Sequence, residues 1–299
     1  MTVPPIAAFA TTVSAVERLS PALLRVTLTA TELAHLDDGG PQGPRDLRIK
    51  VMIPSPGHPL PDLSHLSEGW YTRWLALDPA TRGEMRTYTV RRTRLHLPDP
   101  EVDVDFVLHG DGHGPASSWA GRAAVGDPLT LLGPDRRSGQ PTAGIEWRPP
   151  ATGSPRVLLV GDETAAPAIC SILESLPADA VGHALVEVPD QRDRQECRSP
   201  AGVDLVWLAR DDAPRGQAVQ AAVQRVLCPG AGPAPLEPDG DPEDLLWDTP
   251  DAPAPDGVYA WVAGEAAMVR ALRRHLVGPC GLDRSQVAFM GYWREGAAG

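Results

Sequence analysis

Arg156-Val157-Leu158-Leu159-Val160-Gly161-Asp162-Glu163-Thr164 opens the second half of the chain with a mostly apolar strand that turns into a helix reaching about Leu176. A strand covered on both faces reads as a near-continuous apolar run, whereas one wet face gives alternation. Further strands follow at Ala184 to Val188, Val203 to Leu208 and Val258 to Val262, and helical patterns cover about Gln217 to Val226 and Glu265 to Leu276. Buried strands alternating with helices predict a doubly wound parallel sheet, whose ligands lie outside the carboxyl ends of its strands.

Upstream, Trp147 to Pro155 holds Pro149, Pro150, Gly153 and Pro155 and reads as a linker. The residues before it read as β. Leu23 to Leu28, Leu47 to Ile53, Arg86 to Arg91, Leu95 to Leu97 and Leu129 to Leu132 are strand candidates. Val102-Asp103-Val104-Asp105-Phe106-Val107-Leu108 alternates over most of its length, the sign of a sheet with one wet face. Several short strands separated by turns predict a closed antiparallel β-barrel. Ala116 to Ala124 is the one helix expected here. The division is therefore a barrel domain over 1–148 and an α/β domain over 149–299, with Pro229 to Asp256, dense in Pro, Gly and Asp, as a long surface loop.

Composition narrows the function. A 299-residue chain with 42% hydrophobic residues and a formal net charge of -12 has material for two cores and is a poor nucleic-acid binder. Lys50 is the only lysine, so a positive pocket has to be built mainly from Arg. Cys170, Cys197, Cys228 and Cys280 form no CxxC pair, and no spacing among them suggests zinc or an iron–sulfur cluster; buried or incidental thiols in a reducing compartment are expected. Met1 to Ala10 has no cationic n-region, and no run approaches the roughly 18 apolar residues of a spanning helix. A cytoplasmic protein without membrane insertion is expected; oligomeric state is left open.

The chemistry concentrates in Arg86-Thr87-Tyr88-Thr89-Val90-Arg91. On a strand Arg86, Tyr88 and Val90 share one face, and Thr87, Thr89 and Arg91 the other. An Arg can hold a phosphate in fork geometry, a Tyr can lie on a flat ring, and a Thr hydroxyl can bond a ring nitrogen. Ordinary polar residues on a half-exposed strand give the same pattern.

With three further segments this stretch resembles the siderophore-interacting protein family, a branch of the ferredoxin-NADP reductase superfamily. They are Val107-Leu108-His109-Gly110-Asp111 continuing to Gly114-Pro115-Ala116-Ser117-Ser118-Trp119-Ala120; Gly161-Asp162-Glu163-Thr164-Ala165-Ala166-Pro167-Ala168-Ile169; and Trp261-Val262-Ala263-Gly264-Glu265 followed by Gly291-Tyr292-Trp293-Arg294. The resemblance implies FAD in the barrel. Arg86 would hold a phosphate, Tyr88 would pack on the isoalloxazine, Thr89 would bond near N5, and Thr87 and Arg91 would also belong to the flavin site. His109 and Asp111 would line it, and the turn at Gly114, Ala116, Ser117 and Trp119 would offer backbone N–H groups to an anion. The turn Asp111-Gly112-His113-Gly114 is longer than the family's usual one, which leaves its individual roles open.

In the second half, Asp162, Thr164, Ala165 and Trp293 would contact the nicotinamide cofactor, although no GxGxxG fingerprint is present. Asp162 or Thr164 could equally be a helix N-cap. Glu187 and Asp190 could accept a ribose hydroxyl, and Arg192 and Arg194 could bind a 2'-phosphate, so NADPH and NADH both remain open. Lys50 and Arg294 are candidates for attracting an anionic ferric chelate. The implied activity is reduction of ferric siderophores by NAD(P)H through FAD, with release of ferrous iron. A general NAD(P)H:flavin oxidoreductase or diaphorase and a non-catalytic siderophore-binding protein are the alternatives. Neither a catalytic acid–base residue nor a metal ligand is called for.

Overall fold

The computed structural model describes residues 3–60, 63, 69–108, 114–150, 156–230, 246–250 and 257–296. His109, Asp111, part of the linker and most of the 229–256 loop lie outside the described residues. The chain divides into two compact units, Met1–Ile145 and Glu146–Gly299.

The first unit contains β1 (Ile6–Arg18), β2 (Leu23–Thr29), β3 (Arg48–Ile53), α1 (Trp70–Leu75), β4 (Glu84–Arg94), β5 (Glu101–Val107), α2 (Pro115–Ala120) and β6 (Pro128–Pro134). Its six strands close in the order β1-β2-β5-β4-β3-β6, each pair antiparallel. On β5 the alternating Val102, Val104 and Phe106 are fully buried. The opposite face of β5 is not wet, as alternation alone suggested. Asp103 and Asp105 are themselves buried, because Arg94 and Arg25 cover them with paired hydrogen bonds of 2.7–2.8 Å. Burial pushes the Asp103 carboxyl up, and the hydrogen bonds from Arg94 and Thr27 more than offset it, leaving it below the usual carboxylate value.

Three local expectations are corrected. The first strand, β1, is absent from the sequence reading because its buried face is Phe9, Thr11 and Val13, with a Thr where an apolar residue would mark the period. Thr11 is tolerated inside because its hydroxyl donates to the Leu129 carbonyl at 2.6 Å. Leu95 to Leu97 is not a strand: β4 runs unbroken to Arg94 and these residues lie in the turn to β5. The helix expected over Ala116 to Ala124 stops at Ala120, with Gly121 as its C-cap.

The second unit contains β7 (Arg156–Gly161), α3 (Ala166–Ser175), β8 (Val181–Val188), β9 (Gly202–Ala209), α4 (Gln217–Leu227), β10 (Trp247–Asp248), β11 (Val258–Glu265), α5 (Ala266–Val277) and β12 (Val287–Trp293). The sheet order is β10-β12-β11-β7-β8-β9; five strands are parallel, and only the two-residue β10 pairs antiparallel, at the edge. Leu158 and Val160 of β7 face one core with Val219 and Val223 of α4 and Val269 and Leu272 of α5. Gly161, a whole number of two-residue repeats from Leu159, faces α3 on the other side, where an added Cβ would meet Ala165 and Ile169. Helices thus cover both faces. The strand order reverses between β7 and β11, the kind of switch point that opens a crevice at carboxyl ends.

Glu187, at the end of β8, is fully buried and accepts from the Gly216 and Val219 N–H groups at 2.8 and 3.2 Å. It supplies the carboxylate that the amino end of α4 lacks in its own N-cap, Gly216. Glu187→Ala is expected to lower stability by about 1–2 kcal/mol, read as a lower urea midpoint with unchanged slope. The thiol expectation is also corrected: Cys228 and Cys280 are joined as a disulfide, with Cα atoms 5.4 Å apart, while Cys170 and Cys197 are free. The pair is separated by 52 residues, so only the packing of α4 against the same sheet face as α5 brings it together. Among the described residues no helix is long and apolar enough to cross a membrane.

Candidate functional site

On the barrel, β4 carries the predicted flavin residues. Its register with β3 sets Arg86 opposite Val51, Thr87 opposite Lys50, Tyr88 opposite Ile49 and Thr89 opposite Arg48. Cross-strand partners share a face, so Arg86 and Tyr88 lie together and Thr87 and Thr89 lie with Lys50. Lys50 Nζ donates to Thr87 Oγ1 at 2.6 Å, which joins a predicted substrate residue to a predicted flavin residue. Partial burial, then the charge of Arg48, hold the Lys50 ammonium below its ordinary pKa.

Tyr88 rests on Phe106, ring centroids 4.4 Å apart, and Phe106 rests on Trp119 of α2 at 5.5 Å. Burial pushes the Tyr88 phenol well above its usual value, so it stays a neutral donor. Arg86 is held by Glu84 at 2.9 Å, a pair whose carboxylate is half exposed. Such a pair contributes roughly 0–1 kcal/mol and yields readily to a phosphate. The register slips between Val90 and Arg92, so Arg91 sits in a β-bulge and its side chain is buried. Gly114 precedes α2 with φ of 94°, a backbone that favours glycine, and it brings no capping side chain to the first turn. Ala116, Ser117 and Trp119 follow, all buried. Arg86 and Tyr88 on one face of β4 are a cation and a propped ring of the kind that can hold a flat ring bearing phosphates, and Lys50 with Thr87 forms a second polar group on the other face.

In the α/β unit the carboxyl ends of β7, β11 and β12 converge on Asp162. It is fully buried and accepts from Thr164 N (2.9 Å), Thr164 Oγ1 (2.6 Å), Glu265 N (2.8 Å) and Trp293 Nε1 (3.0 Å). The predicted Asp162, Thr164 and Trp293 are therefore one cluster, and Ala165, fully buried, follows as the N-cap of α3. Neither Asp162 nor Thr164 is that N-cap; Asp162 caps its own turn instead. Gly264 has to be glycine: at φ of 141° an added Cβ would lie 2.7 Å from Asp162 Cγ. Arg294 follows β12 and is half-buried.

Three residues that the sequence reading does not single out complete the cluster. Glu163 is buried and bound by Arg210 and Arg215, each at 2.9 Å, and the Arg215 guanidinium lies 4.7 Å from the centre of the Trp293 ring. Arg210 lies just past β9 and Arg215 just before α4, the loop that the strand order brings back to the switch point; that position was the available signal. Glu187 is not waiting for a ribose. Glu187 is committed to α4, and Asp190 to the backbone and guanidinium of Arg192 at 2.7–3.0 Å.

Burial, and then the charge of Glu163, push Asp162 up to about 6, against the opposing pull of Thr164, Arg215 and Trp293. Burial also pushes Glu163 up, but Arg210 and Arg215 outweigh it and leave Glu163 below the usual value. Asp162 is thus the member of the pair that takes a proton. Between an ordinary aspartate pKa near 4 and its raised value near 6, the folded chain holds a proton that the unfolded chain has lost. Stability contributed by this group therefore falls as pH rises through that window, by about 3 kcal/mol in all. Urea midpoints measured from pH 4 to 7 are expected to show this slope, and Asp162→Asn to flatten it.

Comparison with known proteins identifies the family. Residues 12–138 match the siderophore-interacting FAD-binding domain, and residues 154–296 match the siderophore-interacting protein model. The chain is 31% identical over 274 residues to the ferric vibriobactin reductase ViuB of Vibrio cholerae, covering 92% of this chain and 84% of that protein. It is 28% identical over 285 residues to the NADPH-dependent ferric-chelate reductase of Escherichia coli, covering 94% of this chain and 91% of that one. The crystal structure of the siderophore-interacting protein SipS from Aeromonas hydrophila superposes with a TM-score of 0.67 at 31% identity, over 98% of this chain and 94% of SipS. A barrel carrying Arg86 and Tyr88, an α/β unit organised around Asp162, and matches along nearly the whole length lead to one conclusion: this chain belongs to the siderophore-interacting protein family, with that family's FAD-binding domain as its barrel.

Proposed function

We propose that this chain reduces ferric siderophores with NADPH through FAD and releases ferrous iron in the cytoplasm. Residues 1–148 bind the flavin and 149–299 the nicotinamide cofactor. The observation that carries the reading is Tyr88, propped from behind by Phe106, beside an Arg86 held by a partly exposed carboxylate and one neighbouring backbone carbonyl. FAD held there would supply hydride acceptance from the nicotinamide and one-electron delivery to ferric iron, and the protein supplies position and electrostatics.

Arg86 holds a flavin phosphate, Tyr88 fixes the plane of the ring, and Thr87 and Thr89 offer hydroxyls to its polar edge. Arg91, His109 and Asp111, and the turn at Gly114, Ala116, Ser117 and Trp119, complete the flavin site. Asp162, Thr164, Ala165 and Trp293 position the nicotinamide nucleotide. Lys50 and Arg294 attract the anionic chelate. NADPH is favoured over NADH because Glu187, the carboxylate that would repel a 2'-phosphate, is turned into α4. Arg192, paired with Asp190, and Arg194 remain beside that strand end, both exposed. The E. coli relative, named as NADPH-dependent, supports the same choice.

The test is steady-state oxidation of NADPH and NADH with a panel of ferric hydroxamate and catecholate siderophores and a ferrous trap. Ferrous complex should form in step with NADPH loss, at a KM well below that for NADH. Turnover of dyes with no ferric chelate reduced would leave a diaphorase. Tight chelate binding without turnover would leave a binding protein.

A further inference from the structure

Far from Asp162, at the opposite end of the sheet, α4 and α5 both finish. Cys228 is the C-cap of α4, His275 is in the last turn of α5, and Cys280 follows that helix. Their ligand atoms all lie within 4.8 Å of one another, and Cys228 Sγ is 3.5 Å from His275 Nε2. We propose that the reduced pair, with His275, forms a Cys2His site for a zinc ion.

Geometry favours this. Zinc bonds thiolate at about 2.3 Å and imidazole at about 2.0–2.1 Å, so a sulfur–nitrogen edge of a tetrahedral site is about 3.5 Å, the separation already present between Cys228 and His275. The two cysteine Cα atoms, 5.4 Å apart, let the sulfurs spread around an ion by side-chain rotation. His275 is fully buried with Nε2 turned to Cys228 Sγ, and no hydrogen bond engages the Nδ1 lone pair, so the ring proton can move to Nδ1 when a metal takes the Nε2 lone pair. The backbone fixes the spacing: Cys280 N donates to the His275 carbonyl at 3.1 Å, and the four residues between them fall within the usual interval of paired zinc ligands. A cation at this point also meets the negative ends of two helices of 11 and 12 residues. The fourth position is left to water.

The chemistry balances with a dithiol reductant. Two electrons and two protons pass from the dithiol to the Cys228–Cys280 bond, giving two thiols and the reductant's disulfide. Zinc binding then releases both thiol protons. The metal replaces the disulfide as the clip that joins the ends of α4 and α5, and it lets this part of the fold persist where disulfides do not.

The test uses the full-length, flavin-loaded chain, reduced anaerobically and titrated with cobalt(II), then zinc. Tetrahedral cobalt absorbs to the red of flavin, and zinc should displace it. Zinc should raise the melting temperature and protect Cys228 and Cys280, but not Cys197, from alkylation read by peptide mass mapping. Cys228→Ser and Cys280→Ser should each lose the cobalt bands, and His275→Gln should weaken them; Cys197→Ser should keep them. Peptide mapping of the wild type answers the question even if a variant fails to fold. The proposal is overturned if the reduced protein shows no such bands, if they survive both Cys228→Ser and Cys280→Ser, or if Cys228 and Cys280 resist reduction while the chain stays folded.

Discussion

Arg86→Ala is expected to weaken FAD binding by about 10–100-fold, because a hydrogen bond to a charged group contributes about 1.5–3 kcal/mol. The partners of Arg86 are Glu84, whose side chain is 50% exposed, and the neighbouring Met85 carbonyl, so losing them costs the fold little. The variant should therefore melt close to wild type yet purify with little flavin, as read by the visible absorbance and by titration of the apoprotein. Arg86→Lys should recover part of the affinity: it keeps the charge and loses the fork that pairs with phosphate. Glu84→Ala is the control, with stability and flavin content near wild type.

Glu163→Ala should have the largest effect on folding. Glu163 is only 1% exposed and holds two half-buried guanidinium groups, and removing it leaves Arg210 and Arg215 with only the more distant Glu187 and Asp162, at 3.9 and 3.8 Å. Breaking a buried pair from one side costs about 3–5 kcal/mol, and the partial exposure and remaining carboxylates of these arginines place this change at about 3 kcal/mol or somewhat less. The second unit should unfold at markedly lower urea, followed by its tryptophan emission. Arg215 also covers Trp293, whose indole donates to Asp162, so loss of Glu163 should loosen that indole and raise the KM for NADPH more than it lowers kcat. Glu163→Gln, which keeps the shape and loses the charge, should fall between.

The parts legible in the sequence share one property: their signal is local. Leu158 and Val160 announce a buried strand by themselves, and the Val102–Phe106 alternation announces a barrel face. Arg86 and Tyr88 are two residues apart on one strand, and the register with β3 keeps them on a common face. What escapes is non-local or disguised. Thr11 hides the period of β1 because its hydroxyl is satisfied by a strand 118 residues away. The final strand, β12, reads only as an aromatic segment, since Gly291, Tyr292 and Trp293 carry no alternation and its last residues are set by a bulge against β11. Arg210 and Arg215 reach Glu163 across 47 and 52 residues, a pairing that only the crossover from β9 through α4 creates. Glu187 looks like a ribose ligand because strand-end carboxylates often are; the N-terminus of α4, left without a capping side chain, takes it instead. The Cys228–Cys280 approach is of the same kind, with His275 the residue that turns a thiol pair into a ligand set.

The most direct measurement is the visible spectrum of the purified protein, taken anaerobically before NADPH, after NADPH, and after addition of a ferric siderophore with a ferrous trap. Bound flavin should bleach on adding NADPH and regain its colour on adding the chelate, with the ferrous complex appearing as it does. A protein that binds no flavin, or one whose bleached flavin stays bleached in the presence of every ferric siderophore, would contradict a flavin site built on Arg86 and Tyr88 and serving ferric chelates.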